Sequence, residues 1–465
     1  MAKITIVGGA GAIGLVHAWM LHAAGHTVTI LDARPDGQPG DSYRKLLKAD
    51  NLSFRFFEMD EVVRNLSDSG ETVEELTNRF NLFPAMFKLR INQFIPQTSE
   101  RLSREECVNI INDITSLSMN GIHLAQTSQD ILEPQDIIAV TVKCAALTDA
   151  LGNKIKAISQ HSNTPVVVFA NGIQPWIRPE PEFGSLRLRS IDSIYDFVDC
   201  IGVDKVKAGV LIKYGAAIVG EGAVCVRSKF FNTRNIIANI TNTDITEDLG
   251  RISDLYTHSG IITDSTQNIK HIILDKLSYN LAGSIMGAIF NYTMGELIEN
   301  KSTEIAVRDC AKELFQLAVR LGVQLAITDL EFISKTVDAL KQNHTVISSP
   351  LQDIRAGRAT EKDFLIRATI ELANTYGMDM PVLQSMYDLI SMIEKKSSQN
   401  IAEGQELQAE VLQRIEQGNI ICVAGQYNQT NTSMKKSTSS SFFSDIPLIA
   451  PVSTVSTVYE PPRVN

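Results

Sequence analysis

An otherwise apolar stretch of the chain, IKHIILDKLSYNLAGSIMGAIF at residues 269–290, carries a lysine, an asparagine and a serine one helical turn apart. On a helix Lys276, Asn280 and Ser284 share one face, and Gly287 continues the line. Burying an ammonium group costs free energy unless a partner or a reaction requires its charge. The spacing therefore predicts a polar stripe that lines a cavity. A lysine that reaches solvent beside a satisfied core amide is the alternative.

A second polar stretch, SSPLQDIRAGRATEKDFL at residues 348–365, combines hydroxyl groups with arginines and acids. In one interpretation its charged side chains form surface ion pairs on two helices. In the other, Ser349 and Glu361 meet the stripe of Lys276 across a cleft. The residue types alone leave both interpretations open.

A glycine-rich motif near the N-terminus has the spacing of a phosphate-binding turn. Gly9, Gly11 and Gly14, with Ala12 and Ile13 between them, follow a strand-like run and open a helical one. Glycines at these positions allow a tight turn and a close approach of the backbone to a pyrophosphate at the positive end of the helix. With the strand that follows, the motif predicts a βαβ unit that binds a dinucleotide. Without that context it would indicate only a glycine-rich turn.

Polar residues follow three of the predicted strands. Asp32 ends the second strand, where a carboxylate accepts hydrogen bonds from an adenosine ribose and favours NAD, whereas Arg34 could pair with the 2′-phosphate of NADP or lie in solvent. Lys143 and Asn171 end two later strands. Ligands bind outside the carboxyl ends of such strands, so both residues are candidates for the cofactor site. An ordinary strand terminus and an ordinary Asn-Gly turn are the alternatives.

The composition limits the classes of protein to consider. A chain of 465 residues is too long for one hydrophobic core, and its 43 basic and 53 acidic residues give a net charge of -10. That balance argues against a nucleic-acid partner and against an anionic membrane surface. The six cysteines form no CxxC pair, so neither zinc nor a disulfide framework is indicated. We expect a cytoplasmic protein, since no signal peptide or membrane span is evident.

The order of strand and helix patterns predicts an α/β protein. Residues 1–265 are expected to form a Rossmann-type, doubly wound sheet with an insertion at about 41–110. Residues 266–396 are helical almost throughout and should form an all-helical C-terminal domain that carries substrate and catalytic residues. We expect the active site in the cleft between the two domains. Residues 397–465 should be a polar extension and a tail rich in Ser, Thr and Pro, either disordered or a recognition or export signal.

Within the insertion the sequence also predicts local structure. The stretches GETVEELTNRF and SREECVNIINDI have helical character. In the second, Ser103 is followed by Glu106 at the spacing of a capping box, in which each residue's side chain accepts the other's backbone N–H.

Taken together, these segments resemble the ketopantoate reductase (2-dehydropantoate 2-reductase) family. The resemblance lies in ITIVGGAGAIG, VTVKCAALTDAL, ANGI, LDKLSYNLAGSIMGAIFNYTMGEL and SSPLQDIRAGRATEKDFLIRATIELANTYGMDMP. It implies reduction of ketopantoate to pantoate by NADPH or NADH, a step of pantothenate biosynthesis. It covers about 300 residues of this chain, and the insertion and the tail are additions to the family's pattern.

The resemblance also assigns roles to residues. Lys276 matches the general acid, which stabilises and protonates the oxygen of a 2-oxo acid as hydride arrives. Glu361 would bind substrate and keep Lys276 charged and positioned. Ser349 matches a substrate-binding serine, Asn280 and Asn171 match asparagines that contact cofactor or substrate, and Lys143 matches a lysine near the cofactor.

Two departures from the family's pattern leave the substrate and the cofactor form open. Ser284 stands where the family has a second asparagine, and Asp32 stands where members that use NADPH carry a basic residue. A related dehydrogenase of a bulkier substrate, and a non-catalytic nicotinamide-binding sensor, are therefore alternatives. The sequence also leaves open whether the protein is a homodimer.

Overall fold

The computed structural model describes residues 1–417 except 35–37, 57–58, 80–93, 95, 97, 99, 160–162, 173–176, 178–186, 213–214, 227–233 and 241–244. The tail rich in Ser, Thr and Pro lies outside these described residues. The chain divides into two compact units. The first reaches to Ile273, and the second comprises Leu274 onward with the short stretch Leu188–Ser190.

The first unit is built on two sheets. Its strands are β1 (Lys3–Val7), β2 (Thr27–Leu31), β3 (Asn51–Phe56), β4 (Ser116–Ser118), β5 (Ile122–Ala125), β6 (Ile137–Val140), β7 (Val166–Phe169), β8 (Val206–Ile212), β9 (Ala216–Gly220), β10 (Ala223–Val226), β11 (Arg234–Asn239) and β12 (Ile262–Ser265). Its helices are α1 (Ala12–Ala23), α2 (Asp41–Leu46), α3 (Met59–Arg64), α4 (Val73–Arg79), α5 (Arg104–Thr115), α6 (Asp149–Ser159), α7 (Asp192–Ile201) and α8 (Glu247–His258).

The larger sheet has the order β12-β11-β8-β7-β6-β1-β2-β5. Its strands from β8 through β5 are parallel, and β11 runs antiparallel to β8. The central strands β6 and β7 are buried along their whole length, as continuous apolar runs in a parallel sheet should be. Because parallel strands end at the same edge, the turns after β1, β2, β6 and β7 lie along one edge of this sheet.

The smaller sheet joins distant parts of the chain in the order β4-β3-β10-β9. Strand β3 belongs to the predicted insertion, whereas β10 comes from much later in the sequence and pairs with it in parallel. This sheet contacts α1, and the Trp19 and Phe54 rings pack with centroids 4.9 Å apart. The Trp19 indole N–H also donates to the Thr115 carbonyl oxygen at 3.2 Å. The described part of the insertion is therefore packed into the first unit.

The helices predicted within the insertion are confirmed as α4 and α5. At the start of α5 the Ser103 hydroxyl accepts the Glu106 backbone N–H at 3.2 Å, and the Glu106 carboxylate accepts the Ser103 backbone N–H at 2.7 Å. The predicted capping box is thus present, and it fixes where this helix begins.

The second unit is helical throughout its described elements. These are α9 (Ile269–Tyr279, which starts in the first unit), a first π-helical turn (Asn280–Ile285), α10 (Met286–Phe290), α11 (Met294–Glu299), α12 (Lys301–Arg320), α13 (Asp329–Gln342), α14 (Ser349–Arg355), a second π-helical turn (Asp363–Arg367), α15 (Ala368–Thr375), α16 (Pro381–Gln399) and α17 (Ile401–Glu416). Among the described residues no helix is long and apolar enough to cross a bilayer.

The polar extension predicted from residue 397 begins with helical structure, the end of α16 and α17. Helix α17 buries Leu407 and Val411 and contacts α10, α14 and α16. The Gln408 side chain donates from Nε2 to the Ala288 carbonyl oxygen. A polar helix is held here because a few apolar side chains on one face suffice to dock it.

Candidate functional site

The glycine-rich turn joins β1 to α1 and holds the two elements close together. A Cβ atom on Gly14 would lie 2.4 Å from the Cα atom of Gly9, a distance that no side chain tolerates. Gly11 is the N-cap residue of α1 and offers no side-chain cap to the first N–H groups of the helix. These amides are the donors that a phosphate uses at a helix N-terminus.

Asp32 follows β2 at the same edge of the sheet. Its side chain is nearly buried, with 7% exposure, and its carboxylate accepts the backbone N–H groups of Arg34 at 3.0 Å and Gly40 at 2.8 Å. These two bonds use half of the lone-pair positions of the carboxylate, so it can still accept ribose hydroxyls. The Arg34 side chain is exposed. Asp32 therefore both shapes the turn after β2 and presents an acceptor there.

Lys143 and Asn171 follow β6 and β7, which are neighbours in the sheet. Lys143 is exposed, and Asn171 is half-buried. The Cys144 thiol donates to the Asn171 carbonyl oxygen at 3.0 Å and so links the two strand ends. The structure thus brings the glycine-rich turn, Lys143 and Asn171 to one edge of the same sheet, as the sequence predicted.

These residues fit a nicotinamide dinucleotide. The fit rests on the close approach of Gly14 to Gly9, which leaves no room for a side chain in the turn, and on the carboxylate that Asp32 presents after β2. Gly9, Gly11, Ala12, Ile13 and Gly14 would hold the pyrophosphate. Asp32, Arg34, Lys143 and Asn171 follow strands that end at the same edge of the sheet, and they are the candidates to contact the rest of the cofactor.

Lys154 also lies at this edge of the larger sheet, and its role there could not be predicted from the sequence. From α6 its ammonium group donates to the carbonyl oxygens of Asp32 at 3.0 Å, Arg34 at 3.0 Å and Gln126 at 2.6 Å. These acceptors equal in number the N–H donors of an ammonium group. Lys154 thereby fastens the turn after β2 to the end of β5. No local pattern marks such a lysine, because its acceptors are backbone atoms far away in the sequence.

In the second unit the predicted stripe lies where α9 passes into the first π-helical turn. Lys276 and Asn280 are half-buried, and Ser284 is buried with 9% exposure. Asn280 opens the π-helical turn, so the one-turn spacing predicted for a regular α-helix holds only up to Asn280. Gly287 takes part in packing rather than in the stripe, because a Cβ atom there would lie 2.9 Å from the Tyr292 carbonyl oxygen.

The second predicted segment contacts this turn through Ser348. Ser348 is the N-cap residue of α14, and its hydroxyl donates to the Ser284 carbonyl oxygen at 2.8 Å. Its neighbour Ser349 is exposed. A serine two residues before a proline is a usual helix start, and that signal could have identified the cap.

The charged residues between the two predicted site residues of this segment make local contacts. Arg358 pairs with Asp353 at 2.9 Å, and the Arg355 guanidinium donates to the Asn291 side-chain oxygen at 2.7 Å. The ion-pair interpretation therefore describes Arg358, whereas Arg355 bonds to a neutral amide.

Glu361 lies just before the second π-helical turn and is half-buried. Its carbonyl oxygen accepts the N–H groups of Phe364 at 3.1 Å and Leu365 at 3.0 Å, which begins the helical structure there. The second π-helical turn contacts the first, and α14 contacts the first as well. The segments that contain Lys276, Ser349 and Glu361 are thus packed together in the second unit. π-helical turns are rare, and they occur frequently at functional sites.

Comparison with known proteins agrees with this arrangement. The family model described as "Ketopantoate reductase PanE/ApbA C terminal" matches residues 268–394. Residues 268–394 are therefore similar to the C-terminal part of ketopantoate reductases. The resemblance predicted from the sequence is confirmed, and this match contains Lys276, Asn280, Ser284, Ser349 and Glu361.

Curated relatives extend the likeness into the first unit. The 2-dehydropantoate 2-reductase of Pyrococcus horikoshii is 25% identical over 285 residues, which are 61% of this chain and 83% of the relative. That of Aquifex aeolicus is 22% identical over 265 residues, 56% of this chain and 76% of the relative.

Solved structures show that the fold is shared. A 2-dehydropantoate 2-reductase from Geobacter metallireducens superposes with a TM-score of 0.57 at 14% identity and covers 84% of this chain and 99% of its own. A D-mandelate dehydrogenase in complex with NADH and anilino(oxo)acetate gives a TM-score of 0.58 at 16% identity, with 85% and 99% coverage. The predicted fold class, a Rossmann-type sheet with an all-helical C-terminal domain, is confirmed.

Proposed function

We propose that this protein reduces a small 2-oxo acid to the 2-hydroxy acid with NADPH or NADH, and that ketopantoate is the substrate. The observation that carries the proposal is the contact between the two π-helical turns. One follows Lys276 and opens at Asn280, and the other follows Glu361. Both turns lie in residues 268–394, which match the family model. Curated relatives bear the name 2-dehydropantoate 2-reductase.

The proposed roles follow from charge and hydrogen-bonding capacity. When bound, NAD(P)H supplies the hydride that reduces the 2-oxo carbon. The Lys276 ammonium then stabilises the negative charge that develops on the carbonyl oxygen and gives that oxygen its proton. The resulting neutral amine regains a proton from solvent. Glu361 keeps Lys276 charged and oriented, since a nearby carboxylate favours the ammonium form.

Binding of the substrate is assigned to neutral donors. Asn280 and Ser349 would donate hydrogen bonds to the carboxylate and hydroxyl groups of ketopantoate, and Asn171 would contact cofactor or substrate. Ser284 is buried and shorter than an asparagine, so this position leaves more room beside the substrate. That difference favours a 2-oxo acid bulkier than ketopantoate as the second candidate.

The cellular setting is part of the same proposal. The described cysteines Cys107, Cys144, Cys200, Cys225 and Cys310 form no disulfide, which fits a reducing cytoplasm. The net charge of -10 supports a small-molecule partner over a nucleic acid.

The sequence leaves open whether the protein is a homodimer. Sedimentation of the purified protein distinguishes a homodimer from a monomer.

The experiment that tests the function is a substrate panel. Absorbance of the reduced nicotinamide is followed with NADPH and NADH, each with ketopantoate, a branched aliphatic 2-oxo acid and an aromatic 2-oxo acid. Turnover with ketopantoate supports the proposal, and faster turnover of a bulkier acid favours the second candidate. Tight binding of cofactor without any turnover would overturn the proposal in favour of a nicotinamide sensor.

A further inference from the structure

One carboxylate in the helical unit holds both residues that flank Glu361. The Glu394 carboxylate, on α16, accepts the Thr360 backbone N–H at 3.0 Å and the Thr360 hydroxyl at 2.6 Å. Its other oxygen accepts the Lys362 ammonium at 3.0 Å. The side chains of Lys362 and Glu394 are only 15% and 16% exposed, so this ion pair is largely shielded from solvent. The backbone and side chain of Thr360 and the side chain of Lys362, on either side of Glu361, are therefore tied to α16.

A second side chain of α16 acts on the same segment. The Tyr387 hydroxyl donates to the Asp363 carboxylate at 2.7 Å, and Asp363 is the first residue of the second π-helical turn. Tyr387 and Glu394 are seven residues apart, which places them on one face of a helix. That face contacts the segment at Thr360, Lys362 and Asp363.

The charges of Lys362 and Glu394 favour a fixed position for both side chains. Burial lowers the pKa of the Lys362 ammonium, but the hydrogen bond and the charge of Glu394 act against this, so the pKa lies above its usual value. Lys362 therefore stays charged over the neutral pH range. A buried pair of this kind resists displacement, since breaking it would leave one charge uncompensated.

We propose that Glu394 is a positioning residue of the reductase, which acts through Thr360 and Lys362 to hold Glu361 in the orientation that the reaction needs. The inference rests on the proposed function of Glu361. Its physical basis is that a carboxylate next to a reacting centre must be placed to within a fraction of an ångström. The Glu361 carbonyl oxygen already accepts the N–H groups of Phe364 and Leu365, and the bonds from Thr360 and Lys362 to Glu394 add restraints on the residues on either side of it.

The test compares Glu394→Gln with Asp388→Asn, which makes the same kind of change on the same helix. We expect Glu394→Gln to lower kcat/KM for the 2-oxo acid by about 10- to 100-fold, with part of the loss in kcat, while the Kd of the reduced nicotinamide is unchanged. Asp388→Asn should match the wild type. Lys362→Arg keeps the ion pair and should retain activity, whereas Lys362→Met should behave like Glu394→Gln.

Hydrogen exchange supplies a readout that does not depend on turnover. In Glu394→Gln the Thr360 amide should exchange at least about tenfold faster than in the wild type, with the amides of α12 unchanged. Wild-type kinetics in Glu394→Gln would overturn the positioning role, as would faster exchange throughout the unit. A wild type without turnover would overturn the proposed function and this role with it, whereas failure in the variant alone overturns only the role of Glu394.

Discussion

The Ser348 hydroxyl donates a hydrogen bond to the Ser284 carbonyl oxygen at 2.8 Å and joins α14 to the first π-helical turn. The same hydroxyl accepts the Leu351 backbone N–H at 3.3 Å and caps α14. One buried serine thus fixes where the helix bearing Ser349 begins and where it lies against the segment of Asn280 and Ser284.

Replacement of Ser348 should cost stability. We expect Ser348→Ala to lower the free energy of unfolding by about 1–3 kcal/mol, because it removes a helix cap and leaves a buried carbonyl without this donor. Ser349→Ala is the matched control, since Ser349 is exposed and its loss should change the free energy of unfolding by less than about 0.5 kcal/mol. Urea unfolding of both variants checks the difference. Equal losses would contradict the role assigned to the Ser348 hydroxyl.

Lys154 should matter for cofactor affinity. Lys154→Met removes the ammonium that fastens the carbonyl oxygens of Asp32, Arg34 and Gln126. We expect the Kd of NADH, measured by fluorescence titration, to rise by about 5- to 30-fold, which corresponds to one or two kcal/mol. Lys156→Met, which removes an exposed lysine from the same helix, should leave the Kd unchanged. An unchanged Kd in Lys154→Met would show that the turn after β2 keeps its shape without this anchor.

The raised pKa values of Asp309 and Glu313, two carboxyl groups on α12, predict that the stability of the protein depends on pH. Burial raises the pKa of Glu313 to about 7, although the Val382 and Leu383 backbone N–H groups donate to its carboxylate at 2.8 and 3.1 Å and act in the opposite direction. Burial also raises the pKa of Asp309 to about 6. The folded state therefore binds more protons than the unfolded chain between the ordinary Glu pKa of 4.5 and about 7. Its free energy of unfolding should fall as the pH rises through that range.

Glu313→Gln should reduce that fall. We expect the decrease between about pH 5 and 8 to be smaller than in the wild type by about 1–3 kcal/mol, measured by urea unfolding at several pH values. Glu304→Gln is the control, because Glu304 lies on the same helix and pairs with Arg308 near the surface. Parallel pH profiles of the wild type and Glu313→Gln would rule out a contribution from this carboxyl group.

The first unit shows which features can be predicted from sequence. Periodicity and the glycine spacing predicted the βαβ unit at β1, α1 and β2, because these signals lie within about 30 residues of one another. The capping box at Ser103 and Glu106 was predictable for the same reason. The smaller sheet could not be predicted, because β3 and β10 are far apart in the sequence and their local patterns do not indicate which strand each pairs with.

The site could be predicted in part. The residue types of Lys276, Asn280 and Glu361, together with a family resemblance, indicated candidates for chemistry. The two π-helical turns could not be predicted, since such turns are rare and too short to have a residue pattern of their own. Nor could the contact of Glu394 with Thr360 and Lys362, which depends on how α16 packs on the second π-helical turn.

The most direct test of the reductase assignment is the rate of NADPH and NADH oxidation with ketopantoate for the wild type, Lys276→Ala and Lys270→Ala. Lys270 lies on the same helix as Lys276 and serves as the control. We expect Lys276→Ala to lose at least about 100-fold in kcat, because both a proton donor and a stabilising charge are removed, while Lys270→Ala retains the wild-type rate. An active wild type whose rate is unchanged in Lys276→Ala would contradict the assignment of Lys276 as the general acid.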